Sequence, residues 1–191
     1  MTPFSRRRAL LGLTASALGI GAPTLGRPSL AHASLSVALT LPELTQGSAR
    51  IVRGLAQEHY SQWESANGRK RIVTYTRVVV TEDLSEGAGD SEVMVMTWGG
   101  RVGEVAQLIH GEAALPPNQE SVIFLSGERN GARRVTAMAQ GHYPMEAFQG
   151  RSRLLRSKQL DALVPKAGAA VDTLHQRSYE DAKRLIQGAR K

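Results

Sequence analysis

Residues 49–84 read ARIVRGLAQEHYSQWESANGRKRIVTYTRVVVTEDL. The second half alternates, with Ile72, Thr74, Thr76, Val78 and Val80 on one side and Val73, Tyr75, Arg77 and Val79 on the other. Successive side chains of a strand point to opposite faces, so a period of two marks a strand. The β-branched residues are stiff at χ1 and suit a pleated surface. Asn67-Gly68 separates this run from the one before it. Both residues tolerate positive φ, which a tight two-residue hairpin turn requires. A long β-hairpin is therefore predicted, and the rest of the chain is read around it.

Downstream, SEVMVMTW (91–98) predicts a third strand, with Val93, Val95 and Thr97 opposite Met94, Met96 and Trp98. TWGGRVGEV (97–105) then brings Gly99, Gly100 and Gly103 together after a strand, as phosphate-binding loops do. The spacing is G-G-x-x-G, not the G-x-G-x-x-G of a dinucleotide fingerprint. Glu104 stands after Gly103, where a phosphate loop would carry lysine, and a carboxylate there repels phosphate. The glycines are read as a hairpin turn or bulge, and EVAQLIHGEA (104–113) as a fourth strand. After a proline loop (114–120), SVIFLSGE (121–128) predicts a fifth strand. Asn130-Gly131 supplies a second turn, and RRVTAMAQGHYPM (133–145) predicts a sixth strand. Frequent turns with no long helix between them predict a mainly β fold: a five- or six-stranded antiparallel OB-like barrel.

Upstream, Thr40-Leu41-Pro42-Glu43 has capping-box spacing and predicts a short helical turn ending at Gln46-Gly47. Residues 1–33 read as an export signal. Arg6, Arg7 and Arg8 precede an apolar stretch from Ala9 to Ala22, and Ala31-His32-Ala33 fits a small-x-small cleavage site. The apolar stretch is shorter than the roughly 20 residues needed to span a bilayer, so no transmembrane segment is expected. Ser5-Arg6-Arg7-Arg8-Ala9-Leu10-Leu11 resembles the twin-arginine export motif, departing from its preferred residues at Ala9 and Leu11. The expected location is periplasmic or secreted. The chain has no cysteine, so packing rather than disulfides must stabilise it.

Residues 1–33 contain four of the 24 basic residues and none of the 17 acidic ones, which leaves residues 34–191 at +3. Within that span, residues 34–149 carry 10 basic and 13 acidic residues, and residues 150–191 carry 10 and 4. The body is slightly acidic and the end is basic, so the high overall charge does not point to nucleic acid. The composition changes after Gly150. Ser178 and Asp181 repeat the capping spacing, Tyr179, Ala182, Leu185 and Ile186 share a helical face, and Gly188 suits a C-cap. The expected organisation is an export signal (1–33), a β-barrel domain (34–149) and a basic, helix-prone extension (150–191).

Few residues point to chemistry. His59, His110, His142 and His175 have no metal-ligand spacing, and there is no G-x-S-x-G elbow. No metal, cofactor or catalytic residue is assigned. Glu112 and Glu120 flank the proline loop and read as loop polar groups. Tyr60, Trp63, Tyr75, Trp98 and Tyr143 read mainly as core or strand-pair residues, although OB-type barrels also stack ligands on such side chains.

Residues 49–84, 94–113, 120–128 and 134–145, taken in order, resemble a group of uncharacterised secreted bacterial proteins. More distantly they are similar to the netrin/tissue-inhibitor-of-metalloproteinase module, an OB-like barrel. The inhibitory edge of that module depends on an N-terminal cysteine, which this chain lacks. The resemblance implies a fold and a secreted habit, and no inhibitory residue. The functional expectation is an exported, non-catalytic module that binds a protein partner. One alternative is an enzyme or binding protein for envelope glycans, with Trp98, Gly99, Gly100 and Arg101 facing the ligand. Another is a tether to anionic membrane or polymer through the basic tail.

Overall fold

The computed structural model describes residues 36–66, 68–85, 89–160 and 163–190. Arg6, Arg7, Ala31, Ala33 and Asn67 lie outside the described residues. The elements are β1 (Ser36–Val37), α1 (Leu41–Gln46), β2 (Arg50–Ala66), β3 (Arg69–Asp83), β4 (Glu92–Trp98), β5 (Gly100–Val102) and β6 (Val105–Gln107). They continue with β7 (Glu120–Leu125), β8 (Arg133–Arg134), a 3-10 turn (Met138–Gly141), β9 (His142–Phe148) and β10 (Arg151–Leu154). β11 (Leu163–Val164), α2 (Ala170–Leu174) and α3 (Tyr179–Arg190) complete the chain.

The hairpin at 49–84 forms. Ala66 pairs with Arg69 across a two-residue turn, and Gly68 has φ 72°. Register shifts at Arg53/Gly54 and between Ala56 and His59 break the strict alternation. At Gly54 a Cβ would lie 2.9 Å from the Val79 carbonyl oxygen, so only glycine fits there.

The fold is mainly β. Seven strands form one sheet in the order β10-β9-β7-β2-β3-β4-β8. One pairing departs from the antiparallel expectation. β4 and β8 run parallel, through Val95↔Arg133 and Met96↔Arg134, and the hydrogen-bonded order has two ends. Beyond β8, Val135 bridges Leu125 at the end of β7.

β7 and the first part of β2, residues 50–56, are covered on both faces. Val122 and Phe124 face one core cluster, with Leu44, Tyr143, Leu174 and Ile186. Ile123 and Leu125 face a second, with Val52, Val78, Val95 and Val135. A strand covered on both sides needs no polar alternation, which is why Val122-Ile123-Phe124-Leu125 is continuously apolar.

The predicted fourth strand is short. β5 and β6 pair as a small hairpin around Gly103 at φ 58°, which bears out the turn assigned to the glycine stretch. The predicted sixth strand breaks in two. Ala137 and Met138 take left-handed φ of 53° and 57°, and the 3-10 turn follows. Gln140 is buried in that turn and holds the incoming chain: it accepts from Leu39 N–H and donates to Ser36 Oγ and the Val37 carbonyl.

Residues of 150–160 and 163–190 pack with the preceding strands. β10 pairs with β9, and Leu154, Leu174, Tyr179, Ala182 and Ile186 lie in the first core cluster. Three of the ten basic residues of 150–191 pair with carboxylates of the body or β9: Lys166 with Glu43, Lys183 with Glu82 and Arg153 with Glu146. Both capping spacings form, since Glu43 N–H donates to Thr40 Oγ1 and Asp181 N–H to Ser178 Oγ. α3 runs past Gly188 to Arg190, so Gly188 does not cap it.

Candidate functional site: a groove on the β2–β3–β4 face

The strand register lines up the side chains of one sheet face. Tyr60, Tyr75, Met96 and Arg134 form a row across β2, β3, β4 and β8. Gln62, Val73 and Trp98 form the next row, and Glu64 and Arg71 the one beyond. The loop from Ser126 to Ala132 and the Thr136–Met138 segment stand beside this face and enclose a groove of about 680 Å³. Tyr75, Met96, Trp98, Arg129, Arg134 and Met138 are among its lining residues.

Trp98 is held from behind by Glu112, which is 5% exposed. The Trp98 backbone N–H donates to Glu112 Oε2 at 3.3 Å, and Ala113 N–H donates to Oε1 at 3.2 Å. Burial raises the Glu112 pKa above the ordinary carboxylate value, and these donors oppose the rise. The Arg134 guanidinium lies 3.8 Å from Glu112 and 5.1 Å from the Trp98 ring centroid. Arg71 lies over the same ring at 5.6 Å.

Beside Trp98, Tyr75 donates to Glu64 Oε1 at 2.6 Å and Gln62 Nε2 donates to it at 2.9 Å. The Tyr75 hydroxyl and the Gln62 amide hold Glu64 below its ordinary pKa, and Glu64 pushes Tyr75 up to about 12. Glu64 is therefore an anion and Tyr75 a neutral donor at neutral pH. Tyr60 is 53% exposed and stacks on Tyr75 with centroids 5.4 Å apart.

The loop wall is braced. Asn130 and Gly131 make the expected turn at φ 52° and 76°, with Arg129 and Ala132 bridged across it. Arg133 donates to the Ser126 carbonyl at 3.0 Å and pairs with Glu128 at 3.5 Å. The left-handed Ala137 and Met138 line the far rim. Backbone held in a sparsely populated region is a feature that concentrates at binding sites.

Of the four residues singled out for the glycan alternative, only Trp98 faces this groove. Gly99 is buried, and Gly100 packs against Ser61 and Thr74, where a Cβ would collide with both side-chain oxygens. Arg101 is exposed on the β5–β6 hairpin. The sequence reading missed Tyr75, Met96, Arg134 and Glu112 as parts of one site. Register across three strands joins Tyr75, Met96 and Arg134, and Glu112 reaches them from a loop through the Trp98 N–H.

His142 and Ser121, each 1% exposed, share a hydrogen bond of 3.1 Å inside the fold, where substrate cannot reach them. Among the described residues, no group of three His, Cys, Asp or Glu is placed to hold a metal ion, and no helix is long and apolar enough to cross a membrane. Comparison of the chain with protein-family models, with curated proteins and with solved structures gave no match.

Proposed function

We propose that this protein is an exported, non-catalytic binding module that holds a protein partner in the groove beside Trp98. The observation that carries this reading is the lining itself. Trp, Tyr, Met and Arg side chains converge on a rigid strand face, and these residue types dominate binding energy at protein interfaces. The one hydroxyl–carboxylate pair in the lining, Tyr75 with Glu64, has its carboxylate also occupied by the Gln62 amide, an arrangement that suits holding the face in place. Export through the twin-arginine route rests on Arg6, Arg7 and the Ala31-His32-Ala33 site, with a periplasmic or secreted destination.

An OB-like barrel is part of the same proposal. It is supported by the order β7-β2-β3-β4-β8 together with the Leu125–Val135 bridge, which brings the two ends of that five-strand run together. In OB-type barrels this face and its flanking loops hold the ligand. The glycan alternative draws on one observation, the exposed Tyr60–Tyr75 stack, which offers a flat platform to a sugar ring. The tether alternative loses support, because three of the tail's cations are paired with body carboxylates.

The test is capture from a native envelope extract on the immobilised mature chain and on its Trp98→Ala variant. A polypeptide retained by the parent and lost by the variant is expected. Retention of glycan without polypeptide would sink the reading.

A further inference from the structure

We propose that the partner presents an acidic polypeptide segment to this groove, its carboxylates received by Arg129 and Arg134 of the lining and by Arg71 over the Trp98 ring. This rests on the protein-partner reading above and adds the chemistry of the partner.

The basis is an imbalance in how the charges of the site are satisfied. Its acids are engaged: Glu64 accepts from Tyr75 and Gln62, and Glu128 pairs with Arg133. Its arginines are not engaged to the same degree. Among the described residues, Arg71 meets the Trp98 ring and no carboxylate within ion-pair distance. Arg129 projects, exposed, from the Asn130-Gly131 turn and pairs with no carboxylate among the described residues. Arg134 is 43% exposed at the side chain, and the acid nearest to it is the buried Glu112 at the long distance of 3.8 Å. A guanidinium presents a planar fork of donors that matches a carboxylate in two-point geometry. Two such forks line the groove with Trp98, Met96 and Met138, and a third, Arg71, lies over the Trp98 ring, a set that suits acidic side chains interleaved with apolar ones.

The same charges argue against a uniformly anionic polymer. Glu64 and Glu128 both line the groove and would repel evenly spaced uronates or phosphates. A polypeptide can place neutral residues opposite them. Two guanidiniums already lie over the Trp98 ring, so it does not offer a bare face for sugar stacking.

The experiment is selection from a random peptide library displayed on phage, against the full mature chain and against an Arg71→Gln, Arg129→Gln, Arg134→Gln triple variant. Melting temperature checks that the variant is folded, and the single Arg129→Gln variant, at an exposed position, serves as a second probe that leaves stability nearly unchanged. Peptides selected on the parent should be enriched in Asp and Glu, and the triple variant should lose that enrichment. A selected peptide, made synthetically, should bind Arg134→Gln about tenfold more weakly, the loss of one charge-assisted hydrogen bond. Its affinity should also fall as salt rises. Selection of peptides without acidic enrichment, or no selection at all, overturns the assignment. So does tighter binding of polygalacturonate or oligothymidylate than of any selected peptide. If the parent still retains a polypeptide through Trp98 while its selected peptides are not acidic, only the acidic assignment fails and the protein-partner reading stands.

Discussion

Replacing Ile186 with alanine tests whether the C-terminal helix belongs to the core. Ile186 is 0% exposed and shares a cluster with Leu44, Phe124 and Leu174, so its side chain is packed on all sides. Truncating such a residue costs roughly 2–5 kcal/mol, the lost transfer free energy plus the cavity left behind. Alanine's better helix propensity offsets a few tenths of that. A net loss of about 3 kcal/mol lowers the melting temperature of a domain this size by roughly 6–12 °C. Leu185, the preceding residue on α3, is 38% exposed. Leu185→Ala should cost under about 1 kcal/mol. Thermal and urea denaturation followed by circular dichroism read both variants on one scale. A chain ending at Gln149 is the stronger perturbation. It removes Leu154, Leu174, Tyr179 and Ile186 from the cluster. At about 1.5–3 kcal/mol for each large buried side chain, the loss of roughly 6–12 kcal/mol is comparable to the whole stability of a domain. That chain should not fold. Equal, small shifts for Ile186→Ala and Leu185→Ala, or a folded chain ending at Gln149, would refute the docking of the tail.

Burial holds the folded His142 at a pKa of about 4, while the unfolded side chain titrates near 6.5, so the unfolded state takes up the proton first as pH falls. Stability should therefore be full above about pH 6.5 and drop by on the order of 3 kcal/mol by pH 4. His142→Phe should remove that part of the slope in urea melts at stepped pH, and an unchanged slope would show that other groups carry it. Gly100→Ala should cost roughly 1–3 kcal/mol, since φ is 130° and the new Cβ meets Thr74 and Ser61. Gly68→Ala, with φ 72° and open space around it, should cost only about 1 kcal/mol, and equal losses would mean that the packing against β5 is wrong. Replacing Arg6 and Arg7 with lysine should stop export of the full chain, because a twin-arginine passenger needs the guanidinium pair and a Sec signal needs only charge. Normal periplasmic levels of that double variant, read by cell fractionation and immunoblot, would rule the route out.

What the sequence determined by itself was local. The period of two from Ile72 to Val80, the Asn130-Gly131 turn and the Thr40–Glu43 capping box are set within a few residues by side-chain direction, positive φ and short hydrogen bonds. They were legible and they form. The turn at Gly103 was legible for the same reason. The break at Ala137–Met138 was not, because no glycine marks the left-handed backbone there and tertiary contacts hold it. The parallel pairing of β4 with β8 joins residues nearly forty positions apart, beyond the reach of any periodicity. The docking of α3 was not legible, because its apolar face is short and the charge around it conspicuous. Three of the tail's cations pair with Glu43, Glu82 and Glu146, which only folding brings near. The groove, too, belongs to the tertiary structure. Tyr75, Trp98 and Arg134 lie on three strands, and their common face exists only once cross-strand register is established.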